Sequence, residues 1–425
     1  MPFTITVFGF LENSFHGSYV WWTWAVVFVL SLVLGFVHFV HFFNSIADSR
    51  RSPKLPIALG DEIPSKKERI QRYSTDTRNL LINGYTKFKD QVFGIDTTEE
   101  YTKLGNLTEE QIYVVNKELN PSLLIHQLVQ DFWPVDDFES FTPVKAYPKI
   151  NRLVSRVCAR FFQGTDAAHD ERWLDVAADY IHSAIVWTGN LKKWPRYLRP
   201  LVWRFVSGRH NMMNQFEIGK YIAMSTTVMQ CLIDVSVYNQ YVPELREEIS
   251  RVLEASGGVV TKQSLQQMFK LDSFIKETQR LNAPDLMSFQ RKVQAPLTLS
   301  NGVLIPKGAR LMLPTGAINM DAQIFEGPEH FDGLRFYKKR LESEESRNKY
   351  QLVTVGKTDL AWGYGRHACP GRFIADVTIK LIMIEFLMKY DMKRPESGAR
   401  PKNIEFEGVL TPDPDWELLF KCRSC

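Results

Sequence analysis

Cysteine is scarce in this chain. There are five among 425 residues, an odd number, and Cys158, Cys231 and Cys369 lie far apart. A disulfide scaffold needs a short, cysteine-dense secreted chain, so that class is excluded and a reducing compartment fits better. Cys422 and Cys425 form a C-x-x-C, but no second pair or His completes a zinc site and no helix follows as in a redox motif. They read as a loose tail. An excess of charge is missing too, since 52 Lys+Arg against 48 Asp+Glu leave a formal +4. With no Lys/Arg block interleaved with exposed aromatics, nucleic acid is excluded as a partner. Internal repeats are absent. What remains, 44% hydrophobic, is an ordinary globular composition long enough for one large domain or two moderate ones.

Charge is also missing locally. From Tyr19 to Phe43 there is no Asp, Glu, Lys or Arg, and His38 and His41 are the residues that titrate near neutrality. About 20 apolar residues suffice to cross a bilayer core. Trp21, Trp22 and Trp24 gather at one end, where an interfacial aromatic belt would sit. A cleaved signal peptide is the alternative, but the run is too long, no basic segment precedes it, and Ser45-Ile46-Ala47 is a weak cleavage site. The expectation is a retained transmembrane helix over 19–43 behind a short luminal segment, 1–18. Arg50, Arg51 and Lys54 follow the span while 1–18 holds no Lys or Arg, which places the bulk of the chain in the cytosol. The Asn106-Leu107-Thr108 sequon would then go unused.

Pro53, Pro56 and Pro64 mark residues 44–70 as a stiff, basic linker. Residues 71–425 read as one domain, mainly α with a smaller β region (α+β). The spacing of apolar residues predicts helices over Asn151–Phe162 and Phe216–Tyr238, and Pro243 opens another at an early helical position. Strand signals come later. Asn301-Gly302 stands between two alternating apolar runs in 297–306, a hairpin signal.

One cysteine has distinctive surroundings. Ala361 to Phe373 reads AWGYGRHACPGRF, with Gly363, Gly365 and Gly371 crowded around Cys369. Glycine permits left-handed backbone and close approach of the main chain to a flat ligand. The run after Gly371 has the length of a helix of about five turns. Cys369 therefore sits just ahead of a helix N-terminus, where orphan amides and the dipole are expected to favour the thiolate. A buried structural cysteine is the usual alternative. A catalytic nucleophile is another, but no Cys/His/Asn signature accompanies it.

This loop resembles the haem-binding signature of the cytochrome P450 family, Phe-Gly-x-Gly-x-Arg-x-Cys-x-Gly. Gly363, Gly365, Cys369 and Gly371 match, Trp362 stands for the usual Phe, and His367 for the usual Arg. The wording around Cys369 is similar to fungal members. Glu277 and Arg280 resemble the family's Glu-x-x-Arg helix; alone such an i, i+3 pair is weak, because solvated helices often carry one. The stretch Pro328–Phe336 resembles the loop supplying a second arginine, Arg335. Together the resemblance implies a Glu277/Arg280/Arg335 network that holds the cysteine loop. Ala223–Thr227 resembles the oxygen-side helix, with Thr226 as the hydroxyl that relays protons; Ser225 stands where the family usually has an acid. Arg291 and His367 match the places of haem-propionate partners. The family's Trp-x-x-x-Arg helix is not recognisable in 119–133.

The resemblance implies haem b with Cys369 as axial thiolate. It also implies a monooxygenase acting on a lipophilic small molecule, of terpenoid or related secondary-metabolite type. Electrons would come from an NADPH-cytochrome reductase on the endoplasmic reticulum membrane. A haem-thiolate isomerase or dehydratase needing no reductase is a second reading. A truncated, catalytically impaired haem-binding membrane protein is a third. Segments near 92–120 and 203–220 are shorter than the family pattern, where a substrate loop and a pocket roof are expected.

Overall fold

A computed structural model describes residues 62–63, 65–87, 140–162, 170–171, 174, 191, 194–195, 198–203, 222–395, 400–406 and 408–423. The expected membrane span, the Trp-x-x-x-Arg stretch and both shortened segments lie outside them. No helix among the described residues is long and apolar enough to cross a membrane. The chain forms two compact units, 1–55 with 292–311 and 56–291 with 312–425. In the first, strands pair Leu297 with Ile305 and Thr298 with Leu304, and Gly302 between them takes φ +82°. The Asn301-Gly302 turn thus makes the predicted hairpin.

The larger unit begins with helices α1 (Lys66–Thr75) and α2 (Thr77–Lys87). Ser65 caps α1 by accepting from the Glu68 amide. Strand β1 (Thr142–Lys145) leads into α3 (Ala146–Phe162). Next come α4 (Ile222–Val237), α5 (Val242–Ala255) and α6 (Phe269–Leu281). After these stand α7 (Arg335–Leu341) and α8 (Arg372–Lys389), the helix behind the cysteine. Strands β2 (Tyr390–Lys393), β3 (Ile404–Phe406), β4 (Val409–Thr411) and β5 (Glu417–Cys422) complete it.

Strand β5 lies between β1 and β2, antiparallel to both. Cys422 pairs with Tyr390 there, so the expected loose tail is, at this residue, the end of a central strand. Its neighbour Phe420 packs with Phe386 and Tyr390 in the core.

Packing around the site follows from helix composition. α4 is apolar nearly all round and buried from Met224 to Ser236, as such helices must be. α8 buries most of its length for the same reason. α5 is amphipathic: Leu245, Glu248, Ile249 and Val252 turn inward, with Pro243 in its first turn. Its Glu248 accepts from the Lys270 and Leu271 amides, capping α6, whose own N-cap residue Met268 cannot. α6 is unusual. It is buried from Leu271 to Arg280 yet holds Asp272, Lys276, Glu277 and Arg280. A charged helix in that position needs partners for every charge.

Candidate haem-thiolate site

The cysteine loop is closed by its own backbone. The Cys369 amide donates to the Trp362 carbonyl at 2.7 Å. Between them Gly363 and Gly365 take φ +77° and +67°, a conformation costly for side-chain residues. Gly365–His367 makes one 3₁₀ turn, leaving Arg366 and His367 exposed. α8 then starts at Arg372, whose guanidinium grips the Cys369 carbonyl at 2.8 Å. The Arg372 amide lies 3.5 Å from the Cys369 carbonyl. A Cβ at Gly371 would stand 3.8 Å from Sγ, at ordinary contact, so the glycine leaves that flank of the sulfur free of side-chain atoms.

The titration of Cys369 corrects one expectation. Burial is the largest influence and raises the thiol above its ordinary value; the Gly371 and Arg372 amides and the Arg372 charge pull it down, but less. The helix N-terminus alone therefore does not make a thiolate. A cationic centre at the sulfur would supply what is missing, since coordination deprotonates a thiol outright. A half-buried sulfur in a glycine-rich loop, with no side chain on its Gly371 flank, fits a haem iron. Cys158 and Cys231 are fully buried and raised further by desolvation, as inert core cysteines are.

The Glu277 network forms as the motifs imply. Glu277 is fully buried. Arg280 meets it bidentately, Nε to Oε2 at 2.9 Å and Nη2 to Oε1 at 2.8 Å. Arg335 Nε lies 3.1 and 3.2 Å from the two oxygens, and the Asp332 amide donates at 3.1 Å. The remaining guanidinium donors go to backbone carbonyls: Asn319 and Pro328 for Arg280, Glu326 and Gly327 for Arg335, and His330 for both. The solvated-pair alternative is excluded for Glu277 and Arg280. These contacts fix residues 326–332; none of them reaches the cysteine loop directly.

A second buried set, not singled out in the sequence, does reach it. Asp272 joins Arg340 on α7 at 3.2 Å and Lys380 on α8 at 2.5 Å, and Lys380 also meets Asp376 at 2.7 Å. One turn further along α6, Lys276 pairs with Asp359 and donates to the Gln351 carbonyl. A signal was present: a lone lysine inside the apolar run of α8, four residues after an aspartate.

A family model described as cytochrome P450 matches residues 218–420, which contain the cysteine loop and both charge networks. The chain belongs to the cytochrome P450 family. Cytochrome P450 monooxygenase AN1598 of Emericella nidulans is 32% identical over 68% of this chain and 64% of that one. The chain thus spans just under two thirds of that relative. Ent-kaurene oxidase P450-4 of Gibberella fujikuroi is 28% identical, covering 76% of this chain and 72% of its own. A retinoic acid-bound cyanobacterial CYP120A1 shares the fold at TM-score 0.54 and 14% identity, over 74% of this chain and 78% of that one.

Other expected residues of this P450 are placed as follows. Trp362 is half-buried and packs against the core, its indole N–H donating to the Leu352 carbonyl at 2.7 Å. Arg291, on the strand Ser288–Lys292, reaches the loop at the Tyr364 carbonyl, 3.4 Å away. Thr226 is buried with its hydroxyl 3.1 Å from Tyr147 on α3, and Ser225 donates to Asn151 of the same helix at 3.0 Å. Both therefore sit on the α3-facing side of α4. Thr227 instead donates back to the Ala223 carbonyl at 2.7 Å, within a helix that runs unbroken from Ile222 to Val237.

Asp285 is a further group that the motifs did not single out. The residue is exposed, and among the hydrogen bonds of the described residues its carboxyl accepts the Met287 amide, at 2.9 Å. Desolvation by the neighbouring protein raises its titration from 3.8 towards 7, and the water that still reaches it limits the shift. Folded protein thus keeps this proton where unfolded chain has lost it, so stability falls as pH rises from 3.8 towards 7 and levels off above. Asp285→Asn is expected to flatten that fall. Thermal melts across this range check it, and equal slopes in both proteins would contradict the assignment.

Proposed function

We propose that this P450 is a membrane-anchored haem-thiolate monooxygenase inserting one oxygen atom into a lipophilic molecule. The observation that carries the reading is the Cys369 sulfur, half-buried just ahead of α8 in a loop closed by its amide on the Trp362 carbonyl and by the Arg372 guanidinium on its carbonyl. The relative from Emericella nidulans is itself named a monooxygenase. Haem b, bound through Cys369, supplies dioxygen activation favoured by an electron-rich thiolate. The chain's own residues do the rest. Cys369 would hold the iron through its sulfur, Arg291 and His367 would take the propionates, and Trp362 anchors the loop against the core. Thr226 keeps a hydroxyl proton at Oγ1, within reach of Tyr147. Thr227 turns its hydroxyl to the Ala223 carbonyl beside it.

The same reading includes the anchor over Tyr19–Phe43, with the catalytic unit on the cytosolic face of the endoplasmic reticulum. Electrons come from an NADPH-cytochrome reductase, and exposed Arg366 beside the cysteine loop would suit an acidic partner surface. A terpenoid substrate is supported by the likeness to a fungal ent-kaurene oxidase.

The test is turnover of a diterpene hydrocarbon by the full chain with reductase, using isotopically labelled dioxygen. Expected is a product one oxygen heavier, carrying the label and absent without NADPH. Product formed without NADPH and dioxygen would overturn this reading and favour an isomerase or dehydratase.

A further inference from the structure

The Asp272 set reaches the cysteine loop by three hydrogen bonds, joined through Leu352 and Trp362 and ending at the Cys369 amide. Asp272 is buried on α6, and its Oδ2 accepts the Leu352 amide at 2.9 Å. The Leu352 carbonyl, one peptide on, accepts the Trp362 indole N–H at 2.7 Å. The Trp362 carbonyl accepts the Cys369 amide at 2.7 Å. The other carboxylate oxygen, Oδ1, takes Lys380 of α8, the helix whose first residue, Arg372, donates its guanidinium to the Cys369 carbonyl at 2.8 Å. One carboxylate on α6 therefore grips the loop on both sides of the ligand.

We propose that Asp272 is a positioning residue for the thiolate, acting through Leu352 and Trp362 on one side and Lys380 on the other. This rests on the haem-thiolate reading above. The physical argument is that a charged acceptor makes the Leu352 bond stronger than a neutral one. By fixing Leu352 it also places that residue's carbonyl, which locates Trp362 through the indole bond. Lys276 supports the same segment from the other side: it holds Asp359 and the Gln351 carbonyl, which shares a peptide group with the Leu352 amide. The rival role for Asp272 is neutralisation of Arg340 and Lys380, with no influence on the sulfur.

The full chain, loaded with haem, distinguishes the two. Asp272→Asn keeps the shape and an acceptor but removes the charge. Trp362→Phe keeps an aromatic ring but removes the indole donor. The readouts are the Soret position of the ferrous carbon monoxide complex and the rate of haem loss to an acceptor protein. Each variant is expected to move part of the population from the thiolate position to that of a neutral sulfur ligand. Haem loss should speed up about 10-fold, the lower end of outer-shell effects on metal sites. The double variant should lose no more than the worse single, because both cut one chain. An unchanged band and unchanged haem loss in Asp272→Asn overturn the proposal, as do losses that multiply in the double variant. If Asp272→Asn does not fold, Trp362→Phe decides alone, and an unshifted band overturns the route through Leu352. A wild type lacking the thiolate band overturns the haem-thiolate reading itself, an outcome distinct from a normal wild type with indifferent variants.

Discussion

Glu277→Ala is expected to leave almost no folded, haem-loaded protein. Its carboxylate is fully buried and takes donors from Arg280, Arg335 and the Asp332 amide. Removing it strands two guanidinium groups in the interior with no counter-charge. Breaking a buried pair in this way costs about 3–5 kcal/mol. A domain's whole stability is about 5–15 kcal/mol. The backbone consequence adds to this, because residues 326–332 are held by the same two arginines. Glu277→Gln keeps acceptor capacity without charge and should fall between. Denaturation midpoints and haem content measure both, and a wild-type midpoint for Glu277→Ala would refute the role of the network.

Cys369→Ala separates chemistry from stability. The sulfur is half-buried and makes no core contact comparable to the fully buried cysteines, so folding should weaken by only about 1 kcal/mol. Loss of the ligand itself should reduce haem retention by more than the 10- to 100-fold typical of outer-shell changes. Oxygenated product should fall to background. Haem content, melting temperature and turnover on one preparation check the split. A variant that unfolds, or one that keeps its haem and its turnover, would contradict it.

Legibility in the sequence followed the range of the interactions. The hairpin over Leu297–Ile305 was readable because its turn residues are adjacent. The start of α5 was readable from Pro243, and α8 from the length of the stretch after Gly371. Glu277, Arg280 and Arg335 were readable through motifs, not through spacing, since an i, i+3 pair alone carries little information.

Three things were not readable, each for a physical reason. Cys422 looked loose because its strand partner Tyr390 is distant in sequence. The Asp272–Lys380 pair joins helices far apart along the chain: the lone lysine of α8 hinted at a buried charge, but nothing local named its partner. The rotation of α4 is not fixed by a helix buried on every side, so the pattern that picked Thr226 could not show that it faces Tyr147 while Thr227 bonds back to Ala223. The Cys369 thiol shows a different limit: helix-terminal amides were visible in the pattern, but the burial that outweighs them is a property of the packed fold.

The central claim is that Cys369 ligates haem iron as a thiolate. Its most direct measurement is the absorption spectrum of the purified, reduced full chain under carbon monoxide. The account predicts a Soret band at the red-shifted position that thiolate ligation gives. A band at the position of a neutral ligand, or no haem uptake at all, would contradict it.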